Sequence, residues 1–569
     1  MKKTWMAGML AMLMLLGGCQ APKQEQTADG KNETVTVKTY ENAVNIALSD
    51  DKITVDGSDI TEDNTQTVYK ANDIVYYEAG HDFTYGEGEA SDEHTADEAA
   101  AHTVVHITKT GTYALSGDLS KGQVAIDLGK EAKEDPEAVV TLILNDVDIT
   151  CEVAPAVIFY NVYECGSDDA ENATKGVDTS AAGANVIIAD GTENNIEGSH
   201  VARIYKDGTQ ELNEAGTEVV DAKKLHKYDA AFYSKMTMNV GGEEKGDGVL
   251  NILADNEGLD SELHLTLNGG IIRIESGNDG INTNEDGVSV TTINGGELEI
   301  VVNGSTGEGD GIDSNGWLVI NGGTVRASAC GFSMDGGIDS DMGIYINGGT
   351  VEVGGNMLDA IAGGEQTYAV FNFAKTVAGG TELTLKDAEG KAVYTCAPKN
   401  DFSILILAGD HLQPGDYTLW QGESQLAGAV GGNMMGGFGG FGGGMMQPGG
   451  DFNFENMPQG GPSRENFEFD KGVVALPDGS TFDPENMPED MPQPDWSGQR
   501  PMMPFGEISG TPENMPAPDG TGRPDMGQNG GRGPGGMGGF GSTAAELSPI
   551  FTIAEGGNMF SSIRAYEAK

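Results

Sequence analysis

Residues 265–286 read LTLNGGIIRIESGNDGINTNED, and the chain then repeats the pattern. TTINGGELEIVVNGSTGEGDGIDSNG follows at 291–316, LVINGGTVRASACGFSMDGGIDSDM at 318–342 and IYINGGTVEVGGNMLDAIAGG at 344–364. The Asn-Gly-Gly triplets begin at Asn268, Asn294, Asn321 and Asn347, spaced by 26, 27 and 26 residues. A period in the twenties made of short strands and Gly turns, with no helical pattern, marks a β-solenoid. After each triplet an alternating strand points Ile272/Ile274, Leu298/Ile300, Val325/Ala327 and Val351/Val353 inward. Before each triplet another strand does the same with Leu265/Leu267, Thr291/Ile293, Leu318/Ile320 and Ile344/Ile346. A third short segment in each period ("GIN", "GID" or "AIA") makes the coil three-sided. The fold class is therefore all-β, with a parallel β-helix as the central body.

The third segment is acidic. Aligned on its inward aliphatic residue, it reads Leu259-Asp260-Ser261, Ile281-Asn282-Thr283, Ile312-Asp313-Ser314 and Ile338-Asp339-Ser340. Asp279, Asp310 and Asp335 fall at nearly equivalent places just before it. Coils of a β-helix stack ~4.8 Å apart. Two carboxylates at that separation repel by ~3 kcal/mol at an effective dielectric near 20. A counterion is expected, and Ca²⁺ suits a set of carboxylate, Asn and backbone oxygens. The alternative is that these residues simply form solvated turns, which Asp and Asn favour.

Outward positions carry two further sets of candidates. Arg273, Glu299, Arg326 and Glu352 alternate in sign, as a ladder of salt bridges does. The sharper reading is that Arg273 and Arg326 grip ligand carboxylates bidentately. Trp317 and Tyr345 fall at outward slots of adjacent coils and offer a small apolar face to a sugar.

Composition narrows the partners. The chain holds 89 acidic and 32 basic residues, a formal net charge of −57. Nucleic acid and anionic membrane faces are repelled by such a body. The N-terminus has a basic start (Met1-Lys2-Lys3), a short apolar run and then Leu16-Gly17-Gly18-Cys19. This is a secretory signal, and its end resembles a bacterial lipobox, which implies acylation of Cys19. An extracellular, lipid-anchored protein follows, touching the membrane only through the lipid. Of the other cysteines, Cys151 and Cys165 are close enough in sequence to pair, but the sequence leaves that open.

The expected organisation is a signal peptide (1–19), a polar tether (20–40), the β-helix (41–367) and a β-hairpin cap (368–429). A Gly/Met/Pro-rich segment expected to be disordered (430–547) and a final strand segment (548–569) complete the chain.

From about Ala184 to Gly364 the chain resembles a family of bacterial carbohydrate-binding domain-containing surface proteins. The likeness rests on DAAFYSK (229–235), LHLTLNGG, GDGIDSNGWLVINGGTV, DGGIDSDMGIYINGGTVEV and LDAIAGG. It implies a right-handed β-helix with bound calcium and affinity for cellulose-like or acidic polysaccharide, in binders that are not established enzymes. Apart from that resemblance, a monomer is expected. Two alternatives stand beside that expectation. One is a calcium-dependent polysaccharide lyase using Arg273, Arg326 or Lys235 as base. The other is an adhesin whose partner is a protein.

Overall fold

The computed structural model describes residues 38–430, 474–475, 481–482 and 547–566. The protein is all-β, and its repeats pair in three parallel ladders. The first ladder runs through Met238–Gly242, His264–Leu267, Val290–Ile293, Trp317–Ile320 and Gly343–Ile346. The second runs through Val249–Ala254, Ile271–Ser276, Glu297–Val302, Thr324–Ser328 and Thr350–Gly355. The third runs through Val157–Asn161, Ala230–Ser234, Glu257–Ser261 and Ile281–Thr283.

Register within the ladders follows the repeat. Ile272, Leu298, Val325 and Val351 are matched Cα to Cα, and each is at most 3% exposed. Leu265, Thr291, Leu318 and Ile344 form the matching column of the first ladder and are fully buried. Each such aliphatic side chain contributes roughly 1.5–3 kcal/mol by leaving water. Thr291, polar but inward, is satisfied by the Thr283 hydroxyl at 3.1 Å, which also meets Ser314 Oγ at 2.9 Å.

The corner between the first two ladders explains the triplet. Gly270, Gly296, Gly323 and Gly349 have φ of 84°, 87°, 80° and 88°, the left-handed region that a side chain disfavours. The preceding Asn side chains stack coil on coil, each donating Nδ2–H to the carboxamide oxygen before it. The distances are 2.9 Å from Asn294 to Asn268, 2.9 Å from Asn321 to Asn294 and 2.8 Å from Asn347 to Asn321.

Other glycines are required by close approach. A Cβ at Gly316 meets the backbone O, N and C of Ser289 on the coil below, with no flexible side chain to give way. Gly316→Ala is expected to cost about 3 kcal/mol through backbone displacement. Thermal unfolding by circular dichroism checks this; an unchanged midpoint would show that the coils are not packed this tightly.

Beyond the repeat the pairing turns antiparallel. Phe402–Ala408 pairs antiparallel with Thr350–Gly355 and with Tyr368–Val377, ending the second ladder. Gly557–Ala565 returns to lie parallel to Tyr368–Val377 and antiparallel to Ser424–Val430. These strands enclose a second core of Phe371, Phe402, Phe551, Phe560 and aliphatic neighbours. A separate compact unit contains the antiparallel pair Val474–Ala475 and Thr481–Phe482. The rest of the Gly/Met/Pro-rich segment, the stretch expected to be a signal sequence, Cys19 and the expected tether up to residue 37 lie outside the described residues. Cys151, Cys165, Cys330 and Cys396 are free thiols.

Candidate functional site

The third ladder positions a line of acids. Asp260 is matched to Tyr233 on one side and Asn282 on the other. Ile281 bridges Ile312 in parallel. Asp313 N–H donates to Ile281 O at 2.8 Å and Asp339 N–H to Ile312 O at 2.7 Å. The line therefore continues from Asn282 through Asp313 to Asp339. Leu259, Ile281, Ile312 and Ile338 are buried in the core, and strand alternation turns the next side chain to the opposite face.

Asp279, Asp310 and Asp335 form a second line at the preceding corner. Asp279 Oδ1 accepts Asp310 N–H at 2.7 Å, and Asp310 Oδ1 accepts Gly336 N–H at 2.5 Å. Asp335 Oδ2 accepts Gly309 N–H at 2.7 Å and the Ser333 hydroxyl. These bonds use some of the carboxylate oxygens and fix the rest in direction.

The most enclosed part of the track is a triad absent from the sequence reading except for one member. Oxygens of Asp229, Glu257 and Asp260 all lie within 4.8 Å of one another, with the residues 6%, 6% and 0% exposed. Asn284 Nδ2 donates to both Asp260 oxygens at 2.9 and 3.0 Å, and Asn282 Nδ2 donates to Glu257 Oε1 at 3.2 Å. Glu257 Oε2 and Asn282 Oδ1 are buried with no hydrogen-bond partner. An orphaned buried oxygen costs ~1–3 kcal/mol, more when charged. A hard cation meets that demand, because the available donors here are oxygens. The donor set fits Ca²⁺, with Asp229, Glu257, Asp260 and Asn282 placed to hold it.

Electrostatics agree with that fit. Burial pushes the Asp279 carboxyl up to about 8, with Asp313 adding to the effect. Burial and then Asp279 carry Asp310 to about 10; burial and then Asp339 carry Asp313 to about 7. Burial and then Asp359 raise Asp339 to about 6. Glu257 and Asp260 are pushed well above the carboxylate range, by burial first and then by their acidic neighbours. Without a cation, much of this track holds protons near neutrality.

One cation is built in. Lys227 Nζ lies 2.6 Å from Asp229 Oδ2. Burial acts to lower its pKa, but Asp229 outweighs this and holds it protonated above the ordinary lysine value. Lys227 thus occupies the Asp229 carboxylate that a metal held by the triad would need. Lys227→Met is expected to tighten calcium binding by about tenfold while lowering the melting midpoint in EDTA. Calcium titration calorimetry checks the first effect; weaker binding would mean that Lys227 orients the ligands instead.

The outward candidates sit apart from the acids. Arg326 Nη1 is 3.0 Å from Glu297 Oε1, and its Nε is 3.8 Å from Glu352 Oε2. Arg273 is matched Cα to Cα with Asn251 and Glu299. Trp317 and Tyr345 share the outer face of the first ladder. They are offset, because Trp317 is matched to Gly343 and Tyr345 to Val319.

Asp229, Glu257, Lys227, Asp341 and Asp359 were not among the sequence candidates. Asp359 was within reach, since Leu358-Asp359 continues the aliphatic-Asp pattern by one more coil. Glu257 was within reach too, since Glu257-Gly258-Leu259-Asp260 matches Asp279-Gly280-Ile281-Asn282 and Asp310-Gly311-Ile312-Asp313 position for position; Asp229 carries no such mark.

A family model described as "Carbohydrate-binding domain-containing protein" matches residues 101–390. The chain belongs to this family. The matched span holds all three ladders and every acidic residue named above. A polysaccharide lyase-like protein from C. thermocellum, solved as a gadolinium derivative, matches at 19% identity with a TM-score of 0.33. The match covers 56% of this chain and 94% of that one. No curated protein matches.

Proposed function

We propose that this protein binds polysaccharide without cleaving it, through calcium held on the acidic track of a right-handed parallel β-helix. The observation that carries the reading is the buried triad with its orphaned Glu257 Oε2 and Asn282 Oδ1. Three parallel ladders, with successive strands of the Asn-Gly-Gly repeats offset by 26 or 27 residues in the first two, support the helical body. Calcium bound there supplies the positive charge that lets so acidic a chain retain a uronate-bearing polymer. Asp313 and Asp339, half-buried at the open end of the line, are the residues that present such an ion to ligand carboxylates.

Non-catalytic binding is favoured over lyase chemistry by the state of the bases. β-Elimination needs an unprotonated group near the uronate. Arg326 is paired with Glu297 and Glu352, and Arg273 stands in register beside Glu299 of the next strand. The lipobox-like Leu16-Gly17-Gly18-Cys19 supports a surface location through acylation of Cys19, where the protein acts as a monomer.

Calorimetric titration of the full chain with polygalacturonate, in calcium and then in EDTA, tests the proposal. Binding in calcium that disappears in EDTA, without release of products absorbing in the ultraviolet, is the expected result. Release of unsaturated products would establish a lyase. Equal silence in both buffers would remove the calcium-bridged reading.

A further inference from the structure

One strand outside the ladders is tied to the enclosed end of the acidic track. Lys224–Tyr228 belongs to a hairpin inserted between Glu193–Gly198 of the second ladder and Ala230–Ser234 of the third. Its partner is Val201–Tyr205, and their antiparallel pairing is irregular. Val201 meets Tyr228, Ile204 meets His226 and Tyr205 meets Lys224, with the register shifting at each step. Val201–Tyr205 is itself well secured: Tyr205 N–H donates to Tyr85 O at 2.8 Å, and Glu87 N–H to Arg203 O at 2.9 Å. Among the described residues Lys224–Tyr228 has no second strand neighbour.

Beyond that pairing, side chains hold the strand. Lys227 Nζ lies 2.6 Å from Asp229 Oδ2, and Glu257 and Asp260 also act on its charge. Lys224 Nζ lies 3.2 Å from Glu262 Oε1, two residues beyond Asp260. The Tyr233 hydroxyl donates to the same Glu262 oxygen. Tyr228 anchors one end by packing: it is buried, with its ring edge-on to Tyr160 at 5.5 Å between centroids. Lys224 and Leu225, at the other end, are exposed. Residues 224–227 therefore depend on one uneven pairing and two ion pairs, the marks of a segment that opens easily.

The orphaned Glu257 Oε2 and Asn282 Oδ1 beside this strand call for a cation that Lys227 does not reach. A divalent ion held by Asp229, Glu257 and Asp260 would be beside the Lys227 ammonium, and like charges repel more strongly there than in water. We infer that Lys227 is a calcium-displaced latch: without calcium it ties residues 224–227 to the acidic track, and calcium on the triad expels it and frees them. The inference rests on the calcium reading of the triad and adds a conformational response to it. Tyr228 stays packed against Tyr160, so the movement is confined to the strand that ends on it. Ion binding ordinarily slows backbone exchange by stabilising the folded form. The latch reverses that sign at one strand.

The test is hydrogen–deuterium exchange of the full chain, read by mass spectrometry in EDTA and in calcium. Equilibrium dialysis of the same samples measures the calcium retained. Calcium is expected to slow exchange in Glu257–Ser261 and to speed it about tenfold in residues 224–227. Lys227→Met is expected to show the fast rate already in EDTA and to gain nothing from calcium. Lys121→Met is the control, because its ion pair with Glu152 at 3.0 Å involves neither the hairpin nor the triad, and the calcium response is expected to persist. If Lys227→Met does not fold, Lys224→Met at its exposed position is expected to speed exchange partway in EDTA and to keep the calcium step. Loss of that step in Lys224→Met overturns Lys227 as the latch. Calcium retained with exchange in 224–227 unchanged or slowed overturns the latch and leaves the triad as a calcium site. A calcium step as large in Lys227→Met as in the unaltered chain overturns the latch as well. No calcium retained overturns the calcium reading, and the latch with it.

Discussion

Raising the pH of the calcium-free protein from about 5 to about 8 is expected to lower its thermal midpoint, and added calcium to restore it. The groups responsible are Asp339, Asp313, Asp279 and Asp310, whose carboxyls are raised to about 6, 7, 8 and 10. In the unfolded chain each titrates near 3.9. Between the two values the native state holds more protons than the unfolded one, so stability falls as pH rises. The contribution is fully present below about pH 4 and is lost as pH climbs through the folded values. His200 acts in the same sense: burial opposes its charge, but Asp255 and Asp92 lift it to about 10. Carboxylates with depressed values, such as Asp92 beside His200, act in the opposite sense below this window, and the imidazoles of His264, His94, His226 and His411, lowered by burial, oppose part of the fall between about pH 5 and 7. A net fall on the order of 5 °C across the window follows for a domain of this size. Calcium displaces the protons, so its stabilising effect grows with pH. Calorimetric scans at three pH values, in EDTA and in calcium, decide the matter. A midpoint that climbs with pH in EDTA and ignores calcium would falsify the acidic-track account.

The repeat made the ladders legible because its signals are local. Alternation fixes which face Ile272, Leu298, Val325 and Val351 occupy, and the second Gly of each triplet fixes the corner. The acidic column was legible for the same reason, as Asp260, Asn282, Asp313 and Asp339 each follow an inward aliphatic residue. Glu257 was legible on the same footing, as it holds the place of Asp279 and Asp310 two residues before the inward aliphatic residue. Asp229 was not, because it stands just before Ala230–Ser234, a strand with no aliphatic-Asp signature of its own. Lys227 was hidden for a further reason: its partner Asp229 lies only two residues away, which in an isolated strand is a commonplace surface pair.

Asp310→Asn is expected to leave the calcium-free protein as stable as before, or more so, while weakening calcium binding on the order of 100-fold. Burial and the Asp279 charge keep the Asp310 carboxyl protonated at neutral pH without metal. A neutral carboxamide of the same shape then replaces a neutral acid, and its Oδ1 can still accept the Gly336 N–H that Asp310 takes at 2.5 Å. With calcium the balance reverses, because the affinity of an oxygen site is tuned by how many charged ligands it offers. A purely structural aspartate behaves differently: Asn there lowers stability equally with and without metal. Thermal scans of Asp310→Asn in EDTA, set against its calcium titration, separate the two cases. A loss of stability in EDTA with calcium affinity unchanged would assign Asp310 to turn formation and confine the metal to the Asp229–Glu257–Asp260 triad.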